Sequence, residues 1–272
     1  MRAEWVSYDG VARAYDAISV PNYFQKPAER LVARLGITPS DDVLDLGAGT
    51  GAVAAVALDR ARTVTAADLS WRMLRLAGAR SVARRVSCDL SALPFRPETF
   101  DRITASFVLS HLADPDHALE EAAKLLRVGG RLGATAWATG PSDGEAGLAW
   151  TEVARRFVPE PRISAAVGPA LPGEERLKEL SRLGQLLSGA GFDVVVLERL
   201  EYPIPISTRD YLGSKAIALT ARFLRSVLTS EAWQAFEHAV ADELESRFGQ
   251  RLELTACVNL VVGSLPRKSA AT

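Results

Sequence analysis

The chain has 272 residues, 48% of them hydrophobic and 24% charged, with 32 basic against 33 acidic side chains and a formal net charge of −1. A single core stops growing at about 250 to 300 residues, so this length suits one large domain or one domain with a cap, and the composition excludes a disordered chain. The basic residues are spread along the sequence, which leaves no electrostatic footprint for a nucleic acid.

The first residues, Met1 to Val6, carry no apolar secretory segment, and no stretch approaches the roughly 18 uncharged apolar residues of a membrane span, so a cytoplasmic protein is expected. Residues 8 to 35 place Val11, Ala14, Tyr15 and Ile18 at helical spacing, break at Pro21, and resume through Leu31, Val32 and Leu35. From Asp42 the pattern changes. Apolar runs of strand length (Val43 to Leu46, Thr63 to Ala67, Val86 to Cys88, Ile103 to Phe107, Arg131 to Ala138) alternate with helix-length segments. Such alternation predicts a parallel sheet with helices on both faces. Ser70 caps one predicted helix, running through Met73 and Leu74, and Asp114-Pro115-Asp116 opens another that is expected to close at Gly129-Gly130.

Residues 139 to 175 are rich in Gly and Pro and predict a loop or lid insertion. A helix from Arg176 to Gly189, a strand from Phe192 to Leu200, two amphipathic helices over 208 to 248 and a strand from Leu252 to Val262 complete the order, with a frayed tail over Arg267 to Thr272. The domain division that follows is an N-terminal helical lid (1–40), a ligand-binding core (41–138), the loop or lid insertion (139–175), a core helix and strand (176–201), a helical cap insertion (202–250) and a final core strand (251–265). Cys88 and Cys257 lie far apart inside apolar runs and read as reduced thiols, with no disulfide or thiol-metal site.

The strongest local signal is VLDLGAGTG from Val43 to Gly51, an apolar strand entering a glycine turn that opens an alanine-rich helix. Gly47, Gly49 and Gly51 permit unusual backbone angles and let the main chain touch a ligand. Alone this is ambiguous, because Gly47, Gly49 and Ala52 also satisfy the dinucleotide fingerprint. The next strand ends at Asp68, where a carboxylate can accept both hydrogen bonds of a ribose diol, a group shared by NAD and S-adenosylmethionine.

Four segments then follow in order: DLSWRML from Asp68, CDLSALPF from Cys88, FDRITASFVLSHL from Phe100 and LLRVGGRL from Leu125. Over residues 8 to 138 this series resembles that of the class I S-adenosylmethionine-dependent methyltransferases, nearest their ubiquinone and menaquinone-type small-molecule branch. The resemblance implies an α/β fold: a Rossmann-like, doubly wound, seven-stranded, mostly parallel sheet with helices on both faces, plus a helical cap from the N-terminus and from insertions before the last strand. It implies S-adenosylmethionine as cofactor, its methionine and ribose portion lined by Gly47, Ala48, Gly49 and Gly51. Asp45 would brace the loop or meet the amino group, and Asp68 would hold the ribose hydroxyls. Leu69 and Met73 would sandwich the adenine, Asp89 and the backbone of Leu90 would meet its amino edge, and Ser106 would face the methionine end through its main chain. Tyr15 resembles the N-terminal aromatic that closes over the cofactor, a sensible neighbour for a sulfonium because cations are drawn to ring faces.

Plainer readings stand beside these. Asp68 also suits a helix cap, and Asp89 a turn ahead of Pro94. His111, after the fourth strand, is the candidate catalytic base or a bystander that stabilises its loop. Asp114, Asp116 and His117 straddle Pro115 at a helix start, which favours capping over a metal site. Trp137, Trp150, Phe157, Tyr202, Tyr211, Phe223 and Trp233 either line an apolar acceptor pocket or form the core of the cap.

The expected reaction is methyl transfer to O, N or C of a small, partly apolar metabolite, in natural-product or cofactor biosynthesis, by an in-line displacement that needs no protein nucleophile. One alternative keeps the cofactor and catalyses a cyclisation or rearrangement without transfer. The other is an NAD-dependent oxidoreductase, against which stands the lack of a second nucleotide half. No metal, nucleic-acid or membrane partner is expected, while the acceptor and the oligomeric state, a homodimer included, stay open.

Overall fold

A computed structural model of the chain describes residues 3–140 and 143–266. The tail expected to fray, 267–272, lies outside the described residues, as does Pro141 of the Gly- and Pro-rich stretch. In chain order the elements are α1 (Ala12–Ala14), which runs into a π-helix over Tyr15–Phe24, α2 (Gln25–Leu35), β1 (Asp42–Leu46), α3 (Ala52–Leu58), β2 (Thr63–Asp68), α4 (Trp71–Ala79) and β3 (Arg84–Ser87). Next come β4 (Phe100–Ser106), α5 (Pro115–Leu125), β5 (Leu126–Trp137), α6 (Gly144–Phe157), α7 (Glu160–Val167), α8 (Glu174–Leu177) and α9 (Leu180–Gly189). The chain closes with β6 (Asp193–Ser207), α10 (Thr208–Ile217), α11 (Leu219–Val227), α12 (Ser230–Phe248) and β7 (Arg251–Ser264). Two compact units result: Phe24–Ala138, Pro172–Leu200 and Val258–Thr272 form one, and Met1–Tyr23, Thr139–Leu171 and Glu201–Cys257 the other.

The first unit holds the sheet, in the order β3-β2-β1-β4-β5-β7-β6. Pairing is parallel from β3 through β5 and antiparallel between β5 and β7, as the mostly parallel seven-stranded expectation requires. Its strands alternate between two apolar layers. Val43, Val64 and Ala66 meet Leu31 and Leu35 of α2, Val53 and Ala57 of α3, and Leu74 of α4. On the opposite face Leu44, Leu46, Ile103 and Leu132 meet Leu119 and Leu125 of α5 and Leu183 and Leu186 of α9. Both faces are covered, which is why the strands read as nearly continuous apolar runs. At the amino end of β1, Asp42 is bonded by Arg62 and Arg127, and Arg127 Nη1 reaches Asp101 Oδ2 at 2.6 Å.

Several sequence expectations need correction. The helix opened by Asp114 stops at Leu125, and Gly129-Gly130 lie inside β5. There the register against β4 shifts between Phe100 and Arg102, Gly129 takes φ 75°, and a Cβ on Gly130 would stand 2.8 Å from Arg127 O. The pair therefore serves a β-bulge, not a helix end. Pro21 does not break its helix; the chain passes through it in the π-helix, with Asn22 Nδ2 donating to Ile18 O at 2.7 Å. Residues 139–175, expected as a loop or lid insertion, are not an irregular loop: they carry α6 and α7, and Pro159 and Pro161 stand at the start of α7, where no amide donor is needed. The two helices expected over 208–248 are three, separated at Ala218 and Thr229.

The second unit is mainly helical. Phe236 of α12 meets Trp150, Phe157 and Trp233 at ring distances of 5.6, 5.5 and 5.3 Å. A cavity of about 260 Å³ lies between Trp150, Leu212, Gly213, Trp233, Phe236 and Val240. Of the seven aromatics singled out from sequence, Trp150 and Trp233 line it, whereas Phe223 meets Trp5 at a tilt, Tyr202 donates its hydroxyl to Tyr23 O at 2.6 Å, and Trp137 belongs to the sheet unit. Among the described residues no helix is long and apolar enough to cross a membrane, and no group of three or more His, Cys, Asp or Glu is placed to hold a metal ion.

Candidate functional site

The chain order of the sheet reverses between β1 and β4, and in open α/β sheets ligands bind at the carboxyl ends of strands beside such a reversal. The glycine turn leaves β1 at that point. Gly47, Gly49 and Gly51 all adopt positive φ, at 64°, 55° and 87°, which L-residues with a Cβ rarely accept. Their surroundings differ. A Cβ on Gly47 would stand 2.5 Å from Val108 Cβ, and one on Gly51 2.9 Å from Ala77 Cβ, so these two glycines admit the β4 turn and helix α4 against the loop. Gly49 meets only Met73 Cε, at 3.8 Å, so its outer face is a cradle a side chain would fill. The turn is tied by Ala48 N to Ala67 O at 3.0 Å and Gly51 N to Ala48 O at 2.8 Å.

Two carboxylates, Asp45 and Asp68, lie beside this turn. Asp45, 1% exposed, accepts from Thr104 Oγ1 at 2.7 Å and from Ala54 N in α3 at 3.1 Å. It therefore ties its strand to β4 and to the start of α3. Burial pushes its carboxyl up to about 7, opposed by those two hydrogen bonds and reinforced by the charge of Asp68. Asp68 accepts from Gly49 N through Oδ2 and from Ser70 N through Oδ1, each at 2.8 Å. A carboxylate offers about four acceptor positions, so bracing the turn and binding a diol are compatible. Ser70, not Asp68, supplies the side-chain cap of α4, accepting from Met73 N at 3.1 Å.

The remaining residues fall around this edge. Leu69 is 61% exposed and Met73 only 4%, so Leu69 offers an open apolar surface while Met73 supports Gly49 from beneath. Asp89 forms the expected turn, its Oδ1 accepting from Ser91 N and Oγ at 2.9 and 2.8 Å, and Leu90 packs into the core beside it. Ser106 ends β4 opposite Thr135, their hydroxyls 2.8 Å apart. His111 closes a 3₁₀ turn over Leu109–His111, its N–H bonded to Val108 O. Asp114 caps α5 at His117 N, 2.9 Å, and Asp116 pairs with Arg176. Tyr15 belongs to the other unit, where its ring stands edge-on to Tyr8 at 5.9 Å. Thr50, Phe107 and Val108 lie within the motifs but had no expected role. Thr50 Oγ1 is buried without a hydrogen-bond partner inside the loop, and Phe107 has φ 56°; neither has a compositional signature.

Residues 44–134 match the family described as a methyltransferase domain. A demethylmenaquinone methyltransferase of Mycolicibacterium paratuberculosis is 38% identical over 167 residues, 59% of this chain and 69% of that protein. The chain belongs to the class I S-adenosylmethionine-dependent methyltransferases. The cofactor of this methyltransferase is therefore S-adenosylmethionine, and the dinucleotide reading of the glycine turn falls away. Solved structures share the fold: the (4+2)-cyclase SpnF, at TM-score 0.58 and 19% identity over 95% of this chain and 93% of that one, is one. Another is phosphoethanolamine N-methyltransferase 2 of Haemonchus contortus in complex with S-adenosyl-L-methionine, at TM-score 0.56 and 17% identity over 95% of the methyltransferase and 57% of that chain. The residues present fit such a cofactor: an open cradle at Gly49, an acceptor carboxylate at Asp68 and an exposed apolar face at Leu69.

Proposed function

We propose that this methyltransferase acts on an oxygen, nitrogen or nucleophilic carbon of a small, partly apolar metabolite in a biosynthetic pathway. The observation that carries the acceptor class is the 38% identity to a demethylmenaquinone methyltransferase, whose name gives a quinone as its substrate.

S-adenosylmethionine, when bound, would supply an activated methyl group to the acceptor. The chain's own residues bind, orient and exclude water. Gly47, Ala48, Gly49 and Gly51 present main-chain groups to the methionine and ribose portion, and Asp68 accepts from the ribose hydroxyls. Leu69 and Met73 flank the adenine, Asp89 and the backbone of Leu90 meet its amino edge, and the main chain at Ser106 meets the methionine end. Asp45 acts through β4 and the start of α3, which it ties to the strand that enters the loop. Tyr15 joins this set through the family resemblance, and His111 is the base that takes the proton the acceptor loses.

Calorimetry with S-adenosylhomocysteine tests the cofactor half. Asp68→Ala removes a charged acceptor, a loss of roughly 10- to 100-fold in affinity, with far-ultraviolet circular dichroism unchanged. Affinity equal to wild type would overturn the site. Mass spectrometry of quinol acceptors incubated with enzyme and cofactor then reads the gain of one methyl group; an isomerised acceptor of unchanged mass would favour cyclisation instead.

A further inference from the structure

Phe107 directly follows β4, beside the reversal of strand order, and its neighbour Val108 is the residue that covers Gly47. Its φ of 56° lies in the left-handed region, where a bulky aromatic residue is an outlier, and such strain persists only where the surroundings hold it. Here Phe107 N donates to Thr135 O at 3.0 Å. This turn carries the Phe107 ring onto Trp137, at the end of β5, with centroids 4.6 Å apart and planes at 41°. Phe24, at the entry to α2, meets Phe107 at 5.0 Å and Trp137 at 5.8 Å. All three rings are only partly buried. Phe107 and Trp137 stand at the carboxyl ends of β4 and β5, Phe107 one residue along the chain from Val108, and none of the three rings carries a charge.

Resting on the methyl-transfer reading above, we propose that Phe107, Trp137 and Phe24 determine acceptor specificity: their rings receive a planar, uncharged aromatic ring of the acceptor, and the left-handed turn at Phe107 fixes where that ring lies. A flat aromatic ring gains both buried area and offset or edge-to-face ring contacts, whereas a saturated ring of the same size gains area alone. The difference is a preference for the flat ring of about tenfold when two ring contacts contribute.

The full chain, with S-adenosylhomocysteine present, is titrated by calorimetry with reduced 1,4-naphthoquinone and, separately, with decahydronaphthalene-1,4-diol. Wild type is expected to bind the flat probe about tenfold more tightly. Phe107→Leu and Trp137→Leu, which keep an apolar side chain, are expected to lose most of that preference while holding S-adenosylhomocysteine as wild type does. An equal affinity of wild type for the two probes, or a preference untouched by both substitutions, overturns the proposal. Loss of S-adenosylhomocysteine binding in both variants also overturns it, since the rings would then act on the cofactor loop. Failure of wild type itself to bind S-adenosylhomocysteine would instead remove the methyl-transfer reading.

Discussion

Replacing Asp45 by Asn converts a buried titrating group into a neutral one of the same shape. The Asn carbonyl can accept from Ala54 N, and its amide can donate to Thr104 Oγ1, whose own proton can turn toward Leu44 O, 3.5 Å away. In wild type the carboxyl rises from 3.8 to about 7 on folding, chiefly through burial. At about 1.36 kcal/mol per tenfold change, this corresponds to about 4 kcal/mol between the fully protonated and fully ionised limits. The folded state holds the proton more tightly, so between pH 3.8 and about 7 it binds more protons than the unfolded chain and stability falls as pH rises. The loss is absent below 3.8 and complete above about 7, with about 3 kcal/mol of it between pH 5 and 8. Urea unfolding of both proteins across that range, taken as the difference between them, isolates residue 45. The Asn variant is expected to gain on wild type steadily up to neutral pH and then level off. A difference that stays flat with pH would refute a titrating Asp45.

Gly47→Ala is expected to destabilise by about 2 to 4 kcal/mol, the sum of a left-handed backbone and an overlap with Val108; a thermal melt within a degree of wild type would contradict the packing described. Asp42 is held at about 2, first by its hydrogen bond from Arg62, so the stability it contributes is present above 3.8 and is lost as pH falls toward 2. Asp42→Asn is therefore expected to flatten the acid limb of a pH-stability curve between 4 and 2, and an unaltered limb would count against the Arg62 and Arg127 pairing.

What could be read in advance follows from how local the cause is. The strand–turn–helix at Val43 to Gly51 was legible because a buried strand, a tight turn and a helix start each impose residue types on adjacent positions. The caps at Ser70 and Asp114 were legible for the same reason. Gly129-Gly130 has the look of a helix end, yet its conformation is set by the register of β4, a partner distant in sequence. Pro159 and Pro161 look like breakers, and only their place at a helix start makes them compatible with α7. Phe107 carried no signal at all: a left-handed Phe is imposed by Thr135 and by the rings around it. The separate duties of Asp45 and Asp68 were not legible, since both stand at strand positions that a ligand-contacting or a bracing role would fill equally well.

The carboxylate of Asp68 joins Gly49 to Ser70, and that of Asp45 joins β4 to the start of α3. A receptor fastened in this way by its own scaffold spends little of an incoming molecule's interaction energy on ordering itself, which is the physical content of preorganisation. Sequence drift can then remodel the acceptor side, residue by residue, while the nucleoside side keeps its shape.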